Sequence, residues 1–420
     1  MRFRALVVLI LSTVALAQNA PKLTPLPEAK SVTVPIALDH NRVIIDVDLP
    51  LPDGSSKRVR GWVDNGNPDL DLSRRVATLM GLNVTCGEHE CSAPPPHAIT
   101  IGGMRISLAA VKEAKIPLKP IAAAAILAPG MAAEINLPSA VLRNYDVLIN
   151  FPDHKLTLAP PGSLQFKGAK TKVIVNPENG LVQVPSQIGN KKYNLALDVG
   201  SSISFLSQDL FDKFAAANPD WPHMTGAVGP ANIWGLDDEP TWKLMRADRV
   251  QYGPLFLTNV AMVDFPKDRE AFFEKRAGIS TAGLLGANAL TNYRVGLDYA
   301  HSAVYFDIGR LFNFPEFDVI GLILRPEEDG GFTILGIAEY DGKPSVPEAK
   351  AGDRLVAVGG IPVPGSTMGQ VWSMLGGEPG KERTLTFERD GKQFTVAAKV
   401  QHFLGETEES DKSKAKSRNH

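Results

Sequence analysis

Residues 193–202 read Tyr-Asn-Leu-Ala-Leu-Asp-Val-Gly-Ser-Ser and place an aspartate at the end of an apolar strand, directly before a turn. Leu195 and Leu197 alternate with smaller or polar residues, which is typical of a half-buried strand. Gly200 can adopt backbone angles that residues with a Cβ atom avoid, so the chain can turn sharply just past the acid. The pattern predicts that Asp198 is held rigidly at a strand end.

A second stretch shows the same order of features. Residues 59–67 read Val-Arg-Gly-Trp-Val-Asp-Asn-Gly-Asn, so a strand, Asp64, one residue and Gly66 follow one another as they do around Asp198. In both places a short apolar strand and a serine suited to capping a helix come next. Residues 141–151 and 289–299 also match, with Asn-Tyr at the same place in each. A repeat of this length indicates two related halves that differ by insertions.

Two carboxyl groups brought together by such a repeat would have a defined chemistry. Adjacent carboxylates do not both ionise easily, so they share a proton, and one acts as a base while the other acts as an acid. The pair can take a proton from a water that attacks an amide carbonyl while donating a proton to the carbonyl oxygen. This chemistry requires no metal and no cofactor.

The residues around Asp198 resemble the retropepsin-like, pepsin-clan aspartic peptidases. Residues 198–202, Asp-Val-Gly-Ser-Ser, correspond to the family's Asp-Thr/Ser-Gly-Ser/Ala, and the Leu-Leu-Gly of residues 284–286 corresponds to the segment that packs behind the acid. The resemblance covers roughly residues 31–308. It implies a mainly β, bilobal fold of acid-protease-like β-barrels, with lobe 1 at 31–162 and lobe 2 at 168–308.

The resemblance also implies an activity and its residues. One chain would carry both lobes in place of the homodimer of one-lobe members, so a monomer is expected, and its substrate would be a polypeptide. The implied catalytic residues are Asp198 and Asp64. The implied active-site loop residues are Gly200, Ser201, Gly66 and Asn65.

Three positions depart from the family pattern. The residue after the acid is usually Thr or Ser, whose hydroxyl bonds across to the other lobe, but Val199 and Asn65 stand there in this chain. Valine cannot form this bond, whereas asparagine carries both a donor and an acceptor. Pro138 stands where the second half has Gly286, so lobe 1 is degenerate. These departures favour the alternatives of a catalytically inactive peptide- or protein-binding protein on the same scaffold, or a structural scaffold in an exported assembly.

A flap over the substrate is predicted in the second half. Residues 226–235 are glycine-rich and carry an aromatic side chain near the centre of the expected hairpin, with Ile233, Trp234 and Gly235 as the flap residues. The alternative interpretation is a plain surface hairpin. The corresponding stretch of the first half, 86–96, is shorter and rich in proline, and it predicts no flap.

A third unit follows the repeat. The run Ala-Gly-Asp-Arg-Leu at 351–355, followed by a glycine turn, makes residues 316–402 resemble a bacterial PDZ domain of the kind attached to secreted proteases. In such domains a peptide C-terminus adds as a strand to a sheet edge, with its carboxylate held by backbone amides. The implied peptide-binding residues are Gly321, Leu322, Ile323 and Leu324. The same four residues also fit a buried strand that packs this unit onto the rest of the protein.

The beginning of the chain indicates export. Residues 1–17 combine a basic start, an apolar run and the small-residue sequence Ala-Leu-Ala, which is typical of a secretory signal peptide. The apolar run is too short for a mature membrane anchor, and no later segment predicts a membrane span. The predicted location is therefore periplasmic or secreted. At the other end, residues 405–420 are charged without apolar periodicity and are predicted to be a disordered tail.

The two cysteines fit an exported protein. Cys86 and Cys91 are close in sequence and predict a small-loop disulfide. A metal site that includes His89 is the less favoured alternative, because so tight a loop offers no fourth ligand.

Composition sets broader limits. A net charge of -2 gives no basic excess for binding nucleic acid. The partners that the two resemblances imply are a polypeptide substrate or a peptide C-terminus. The 32 prolines and 37 glycines fit many short strands joined by turns. Helices should be few, and helical spacing of apolar residues predicts them at 73–80, 207–217 and 268–277.

Overall fold

The computed structural model describes residues 31–88, 90–117, 133–277, 281–310 and 316–406. Within these ranges the protein is mainly β, which confirms the fold class predicted from the sequence at that level. The predicted signal peptide at residues 1–17, His89, and residues 407–420 of the predicted tail lie outside the described residues.

The first part of the described chain forms short strands joined by turns. Its strands are β1 Val32–Pro35, β2 Ala37–Asp39, β3 Arg42–Pro50, β4 Ser56–Asp64, β5 Leu70–Asp71, β6 Thr85–Cys86, β7 Glu90–Ala93, β8 Ala98–Ile101, β9 Met104–Ser107, β10 Ala114–Pro117, β11 Ile135–Pro138, β12 Asp146–Asn150 and β13 Lys155–Ala159. Two helices lie among them, α1 Arg74–Leu79 and α2 Ser139–Leu142. Helix α1 begins after Ser73, whose Oγ accepts a hydrogen bond from the backbone N–H of Val76 at 3.1 Å and so caps the helix.

The middle part has longer strands and two longer helices. Its strands are β14 Ala169–Lys172, β15 Ile174–Val175, β16 Val182–Ile188, β17 Lys191–Leu197, β18 Ser204–Ser207, β19 His223–Thr225, β20 Lys243–Tyr252, β21 Leu255–Phe265, β22 Gly283–Leu285, β23 Tyr293–Asp298 and β24 Ala303–Ile308. Its α-helices are α3 Gln208–Ala217 and α4 Lys267–Ala277, and its 3₁₀ helices are Gly229–Ala231, Glu239–Thr241, Ala287–Ala289 and Tyr299–His301. Helices α1, α3 and α4 correspond to the three helices predicted from the sequence.

The last part contains one helix among short and medium strands. Its strands are β25 Asp318–Val319, β26 Leu322–Pro326, β27 Phe332–Ile337, β28 Glu339–Tyr340, β29 Lys343–Pro344, β30 Arg354–Val358, β31 Ile361–Pro362, β32 Glu382–Arg389, β33 Lys392–Lys399 and β34 Gln401–His402. Helix α5, Met368–Leu375, begins with a capping box in which Thr367 and Gln370 bond to each other's backbone.

The sheets connect these parts in a defined order. In the first part, one sheet has the order β11-β4-β3-β8-β9, and a smaller one has the order β5-β10-β7-β6. The middle part forms an eight-stranded sheet, β15-β16-β17-β22-β18-β21-β20-β19, in which β16 also pairs with β20. A six-stranded sheet, β1-β13-β12-β23-β24-β14, takes strands from both parts, because β12 and β23 pair antiparallel at its centre. The C-terminal sheet has the order β26-β27-β30-β32-β33.

Buried apolar side chains form cores on either side of the middle sheet. One large core runs continuously from β3 and β4 through β17 and β23, so the first two parts share a single interior. A second core fills the C-terminal sheet and α5. A third core lies between the middle and last parts and includes Phe205, Trp242, Ile323 and Ala338. Burial of this apolar surface fixes the C-terminal sheet against the middle sheet.

Two further predictions concern the disulfide and the membrane. Cys86 and Cys91 form a disulfide, as the sequence predicted. Among the described residues, no helix combines the length and the apolar character needed to cross a bilayer.

Arg246 of β20 also joins the middle and last parts. Its side chain is 7% exposed and lies over the ring of Phe317, with 5.5 Å between the guanidinium carbon and the ring centre. Its Nε donates to the carbonyl oxygens of Leu404 and Gly405, and its Nη1 donates to that of Asn259 at 2.9 Å. A buried arginine thus holds the carbonyl of Gly405, the first residue of the predicted tail.

Replacing Arg246 with leucine should destabilise the protein strongly. The variant would leave the carbonyl oxygens that Arg246 bonds, and the nearby Glu316 carboxylate, in a buried setting without this partner. This loss should lower the free energy of unfolding by about 3 kcal/mol. Urea unfolding would measure the loss. The matched control is Arg58→Leu, which removes an exposed ion pair with Asp48 and should cost less than about 1 kcal/mol. Equal losses in the two variants would contradict the anchoring role of Arg246.

Candidate active site

Asp64 and Asp198 occupy matching places in the structure. Asp64 is the last residue of β4, and Asp198 directly follows β17. Each of these strands pairs in parallel with a later strand, β4 with β11 and β17 with β22. Both acids are buried, with exposed fractions of 3% for Asp64 and 8% for Asp198. The fold thus places both predicted acids at strand ends within the protein.

The loops that follow the two strands pack directly against each other. A Cβ atom added to Gly66 would lie 2.1 Å from Cγ of Asp198, and one added to Gly200 would lie 2.4 Å from Oδ1 of Asp64. Each glycine therefore touches the acid of the other loop, and neither position has room for a side chain. This reciprocal contact brings together two carboxyl groups that are far apart in sequence.

The carboxyl group of Asp198 is surrounded by backbone donors. Its Oδ1 accepts hydrogen bonds from the backbone N–H groups of Gly200 at 2.8 Å and Ser201 at 3.1 Å, and the carboxyl group also accepts one from the N–H of Gly66. Burial raises the pKa of Asp198 to about 6, and the three N–H groups oppose this rise. A carboxyl group with this pKa can hold a proton under mildly acidic conditions and can release it near neutral pH.

Asn65 joins the two loops through its side-chain amide. Its Nδ2 donates to the carbonyl oxygen of Leu197 at 2.7 Å, and its Oδ1 accepts from the backbone N–H of Val199 at 2.8 Å. Asn65 is fully buried, so both hydrogen bonds are shielded from water. One asparagine thus bonds on both sides of Asp198, to the carbonyl before it and to the N–H after it.

Pro138 also fits the site. It pairs with Asp64 in the β4–β11 register and has φ -78° and ψ 164°, close to the φ -88° and ψ 177° of Gly286 beside the Asp198 loop. The backbone after each position makes the same kind of bond. Ser139 N–H donates to the Asn67 carbonyl at 2.9 Å, and Ala287 N–H donates to the Ser201 carbonyl at 2.8 Å. The proline therefore keeps the local backbone path that the glycine has in the other half.

Two buried side chains near the acids were not predicted from the sequence. Arg42, at the start of β3, is 1% exposed, and its charge attracts Asp39 and Asp64. Its guanidinium carbon lies 5.4 Å from the ring centre of Trp62. His40 is 3% exposed, and burial together with the Arg42 charge lowers its pKa to about 3, so its ring is neutral near neutral pH.

A pattern in the sequence could have drawn attention to Arg42. It begins an apolar strand whose antiparallel register with β4 pairs Ile44 with Trp62, and continuing that register puts Arg42 opposite Asp64. His40 and Asn41 both have positive φ and form the turn before this strand. Turn residues of this kind are usually exposed, so nothing in the sequence indicates that His40 is buried.

The predicted flap residues lie in an interface. Ile233 is buried, and Trp234 stacks on Phe205 with 5.9 Å between the ring centres. A Cβ atom on Gly235 would lie 2.8 Å from Cα of Arg325, so the backbone here touches the C-terminal sheet. The stretch is therefore not an exposed hairpin. It packs because its aromatic and small residues complement the surface of β26.

The residues predicted to bind a peptide lie at the edge of the C-terminal sheet. Gly321 precedes β26, and Leu322, Ile323 and Leu324 belong to it, each with at most 2% exposure. Leu322 and Leu324 face the core of the C-terminal sheet, whereas Ile323 faces the core between the middle and last parts. In the structure these residues therefore form a buried strand that packs the C-terminal sheet onto the middle sheet.

The arrangement as a whole joins two buried carboxyl groups, backbone donors and one buried cation. Such a group can hold, accept and donate protons at a bound water or carbonyl. Neither a scan against models of known protein families nor a search of curated proteins finds a match to this chain.

Replacing Asn65 with alanine should loosen the two acid-bearing loops. The Leu197 carbonyl and the Val199 N–H would remain buried without partners, which should cost about 2–4 kcal/mol in unfolding free energy measured by urea denaturation. Asn150→Ala is the matched control, because the Asn150 side chain bonds to exposed Asp153 in a turn, and it should cost less than about 0.5 kcal/mol. The bridging role of Asn65 is contradicted if the two variants lose the same amount.

The stability of the protein should depend on the ionisation of Asp198. The pKa of Asp198 is higher in the folded state than its ordinary value of 3.8, so its contribution to stability is fully present below pH 3.8 and is lost as the pH rises through 6. Asp198→Asn removes this charge and should raise the unfolding free energy at pH 8 by about 1–3 kcal/mol relative to the wild type. The gain should shrink towards zero at pH 4. A gain that is the same at both pH values would show that Asp198 is not the titrating group.

Proposed function

We propose that this protein is an aspartic-type endopeptidase that activates a water between Asp64 and Asp198. The observation that carries the proposal is the reciprocal contact of the two loops, in which Gly66 touches Asp198 and Gly200 touches Asp64. An adjacent buried pair of carboxyl groups is the arrangement that can share a proton across a bound water. The Asn65 bridge supports the proposal, because it supplies the connection between the loops that a hydroxyl supplies in the family the sequence resembles.

Two lobes related by an internal repeat form part of this proposal. Support comes from the parallel pairs β4–β11 and β17–β22, which hold the two acids in the same way. The matching bonds of Ser139 to Asn67 and of Ala287 to Ser201 give further support. With both acids on one chain, the active unit would be a monomer, and the predicted signal peptide would make it a periplasmic or secreted protein.

The two acids would have different roles. Burial raises the pKa of Asp198 to about 6, so Asp198 is the residue that carries the proton under acidic conditions. The attraction between Arg42 and Asp64 favours the state in which both are charged. Asp64 would therefore take a proton from the water as the water oxygen bonds to the carbonyl carbon, and Asp198 would give its proton to the carbonyl oxygen.

The C-terminal sheet would be a PDZ-like domain that recognises peptides. Support comes from the edge position of β26, from α5 with its capping box, and from the glycine turn after β30. A peptide added to the edge of β26 would bond through its backbone and place alternate side chains towards α5. The partners proposed for this protein are thus a polypeptide substrate and a peptide C-terminus.

The second candidate function is a catalytically inactive protein that binds peptides or proteins through the same scaffold. The observation that favours it is the buried guanidinium of Arg42 beside Asp64. A cation beside Asp64 favours the ionised form of that acid, and Asp198 loses its proton as the pH rises through 6. Near neutral pH the pair then has no proton to give to the carbonyl oxygen.

Cleavage of an unstructured protein substrate between pH 3 and pH 8 tests the proposal. The wild type should cleave fastest below pH 6 and slow down as Asp198 loses its proton, and a transition-state-mimicking inhibitor of aspartic peptidases should block cleavage. Asp64→Asn and Asp198→Asn should each reduce kcat by about 100-fold or more.

Asp46→Asn is the matched control for this experiment. Asp46 lies on β3 with a half-exposed side chain and should leave cleavage unchanged. Cleavage that persists in both dyad variants would refute the shared-water mechanism. A well-folded wild type that cleaves at no pH would favour the inactive binding protein.

A further inference from the structure

A groove lies between the edge strand of the C-terminal sheet and helix α5. Among the described residues, strand β26 pairs with β27 on one side and with no strand on the other, so its outer edge carries backbone groups that a partner could bond. Leu322 and Leu324 of β26, together with Met368, Trp372 and Leu375 of α5, line a small cavity at this edge. The groove thus has apolar side chains along its walls and the backbone donors and acceptors of β26 along its edge.

The groove is filled by a segment of the same chain. Asn232 donates through Nδ2 to the carbonyl oxygen of Leu324 at 2.9 Å, and its Oδ1 accepts from the N–H of Leu324 at the same distance. These are the two bonds that one residue of an added antiparallel strand makes with its neighbour. The side-chain amide of Asn232 therefore takes the place of a peptide group on the edge of β26.

A buried acid holds Asn232 in this position. One carboxylate oxygen of Glu239, Oε2, accepts from Nδ2 of Asn232, and the other accepts from the Trp234 N–H at 2.9 Å. The Glu239 carbonyl oxygen accepts from the N–H of Ala227 at 3.0 Å. Residues 226–242 thus form an internally bonded loop, which we name the 226–242 segment, with its amide already aimed at β26.

The same segment also contacts the loop that follows Asp198. Ser202 donates through Oγ to the Pro230 carbonyl oxygen at 2.8 Å. On the other side, Gly229 packs so closely against Trp372 that an added Cβ would lie 2.9 Å from the indole nitrogen. Residues 229–232 therefore connect the Asp198 loop to the groove through a span of only four residues.

Residues 39–41 form a third element that closes the groove. Asp39 accepts a hydrogen bond from the Gly369 N–H in the first turn of α5 at 2.9 Å. Asn41, two residues later, donates to the Ser202 carbonyl oxygen at 3.2 Å. His40 lies between them with its ring 5.4 Å from that of Trp372 and lines the same cavity. Movement of the 226–242 segment would thus affect the structure around both Asp64 and Asp198.

We propose that the 226–242 segment is an internal ligand of the groove, and that an extended polypeptide strand competes with Asn232 for Leu324 and thereby releases the segment from the Asp198 loop. The competing ligand is a polypeptide because the contested partners are one backbone N–H and one backbone carbonyl in strand register. The competition between Asn232 and a peptide for Leu324 does not depend on catalysis. Its effect on cleavage rests on the proposed peptidase function.

The test uses the full chain with Asp198→Asn, so that no peptide can be consumed whether or not the wild type is a peptidase. A random-sequence library of decapeptides with free C-termini is the probe, and hydrogen exchange read by mass spectrometry reports on the segment. Adding Asn232→Ala should increase exchange at residues 226–242 and at Leu324 by about tenfold or more, because the internal ligand is lost. It should also increase the amount of library peptide that the chain retains by about tenfold, because Asn232 no longer occupies the groove.

Peptides retained by the Asn232→Ala chain then test the reverse direction. Added in excess to the chain with Asn232 intact, they should speed hydrogen exchange at residues 226–242. If they bind without changing that exchange, or if the opened chain retains no peptides, the proposal is overturned. Asn232→Asp is the second variant, used where the alanine variant does not fold. It keeps the shape of the side chain but removes the donor to Leu324 and puts a second carboxylate beside Glu239.

The matched control is Asp237→Asn in the same background. Asp237 forms an ion pair with Arg325 at the same interface, but its side chain is 88% exposed. It should leave both hydrogen exchange and peptide retention unchanged. Equal effects of Asp237→Asn and Asn232→Ala would show general loosening of the interface and would also overturn the proposal.

Discussion

The amide group of Asn65 is the interaction on which the arrangement of the two acids depends. It bonds to the carbonyl before Asp198 and to the N–H after it, so the Asp198 loop is fixed relative to the end of β4. With the loops at this separation, Gly66 and Gly200 touch the opposite acids, and both acids are buried. The raised pKa of Asp198 follows from that burial. One buried amide thus sets both the geometry and the electrostatics of the site.

Much of this could be predicted because the information is local. The alternation before Asp198 and the glycine after it lie within a few residues of one another, and Ser73 directly precedes the helix α1 that it caps. The fold keeps all three features. The role of Asn65 could be predicted only in part. The sequence shows that its side chain carries a donor and an acceptor, but the backbone groups it bonds to lie 132 and 134 positions away. The burial of His40 and Arg42 likewise depends on packing between distant parts of the chain.

The 226–242 segment shows why the other features of the site could not be predicted from the sequence. Glycines and an aromatic residue suit a mobile hairpin, and they suit equally a loop packed into a groove. What decides between the two is the edge of β26, which lies 92 residues further along the chain at Leu324. The four residues Gly321 to Leu324 posed the same problem. An apolar run has the same pattern whether it binds a peptide or packs one sheet on another.

The hydrogen bond from Gly369 to Asp39 joins residues 330 positions apart, and this separation bears on how the chain acquires its structure. The turn at His40 and Asn41 is made early in synthesis, whereas α5, which covers it, is made near the end. Contacts of such long range close slowly, because the intervening chain loses conformational entropy before they form. Until α5 is made, the His40 ring therefore lacks its contact with Trp372. The core between the middle and last parts closes only when the C-terminal sheet and α5 have been made, and until then its apolar side chains are exposed to proteolysis and aggregation.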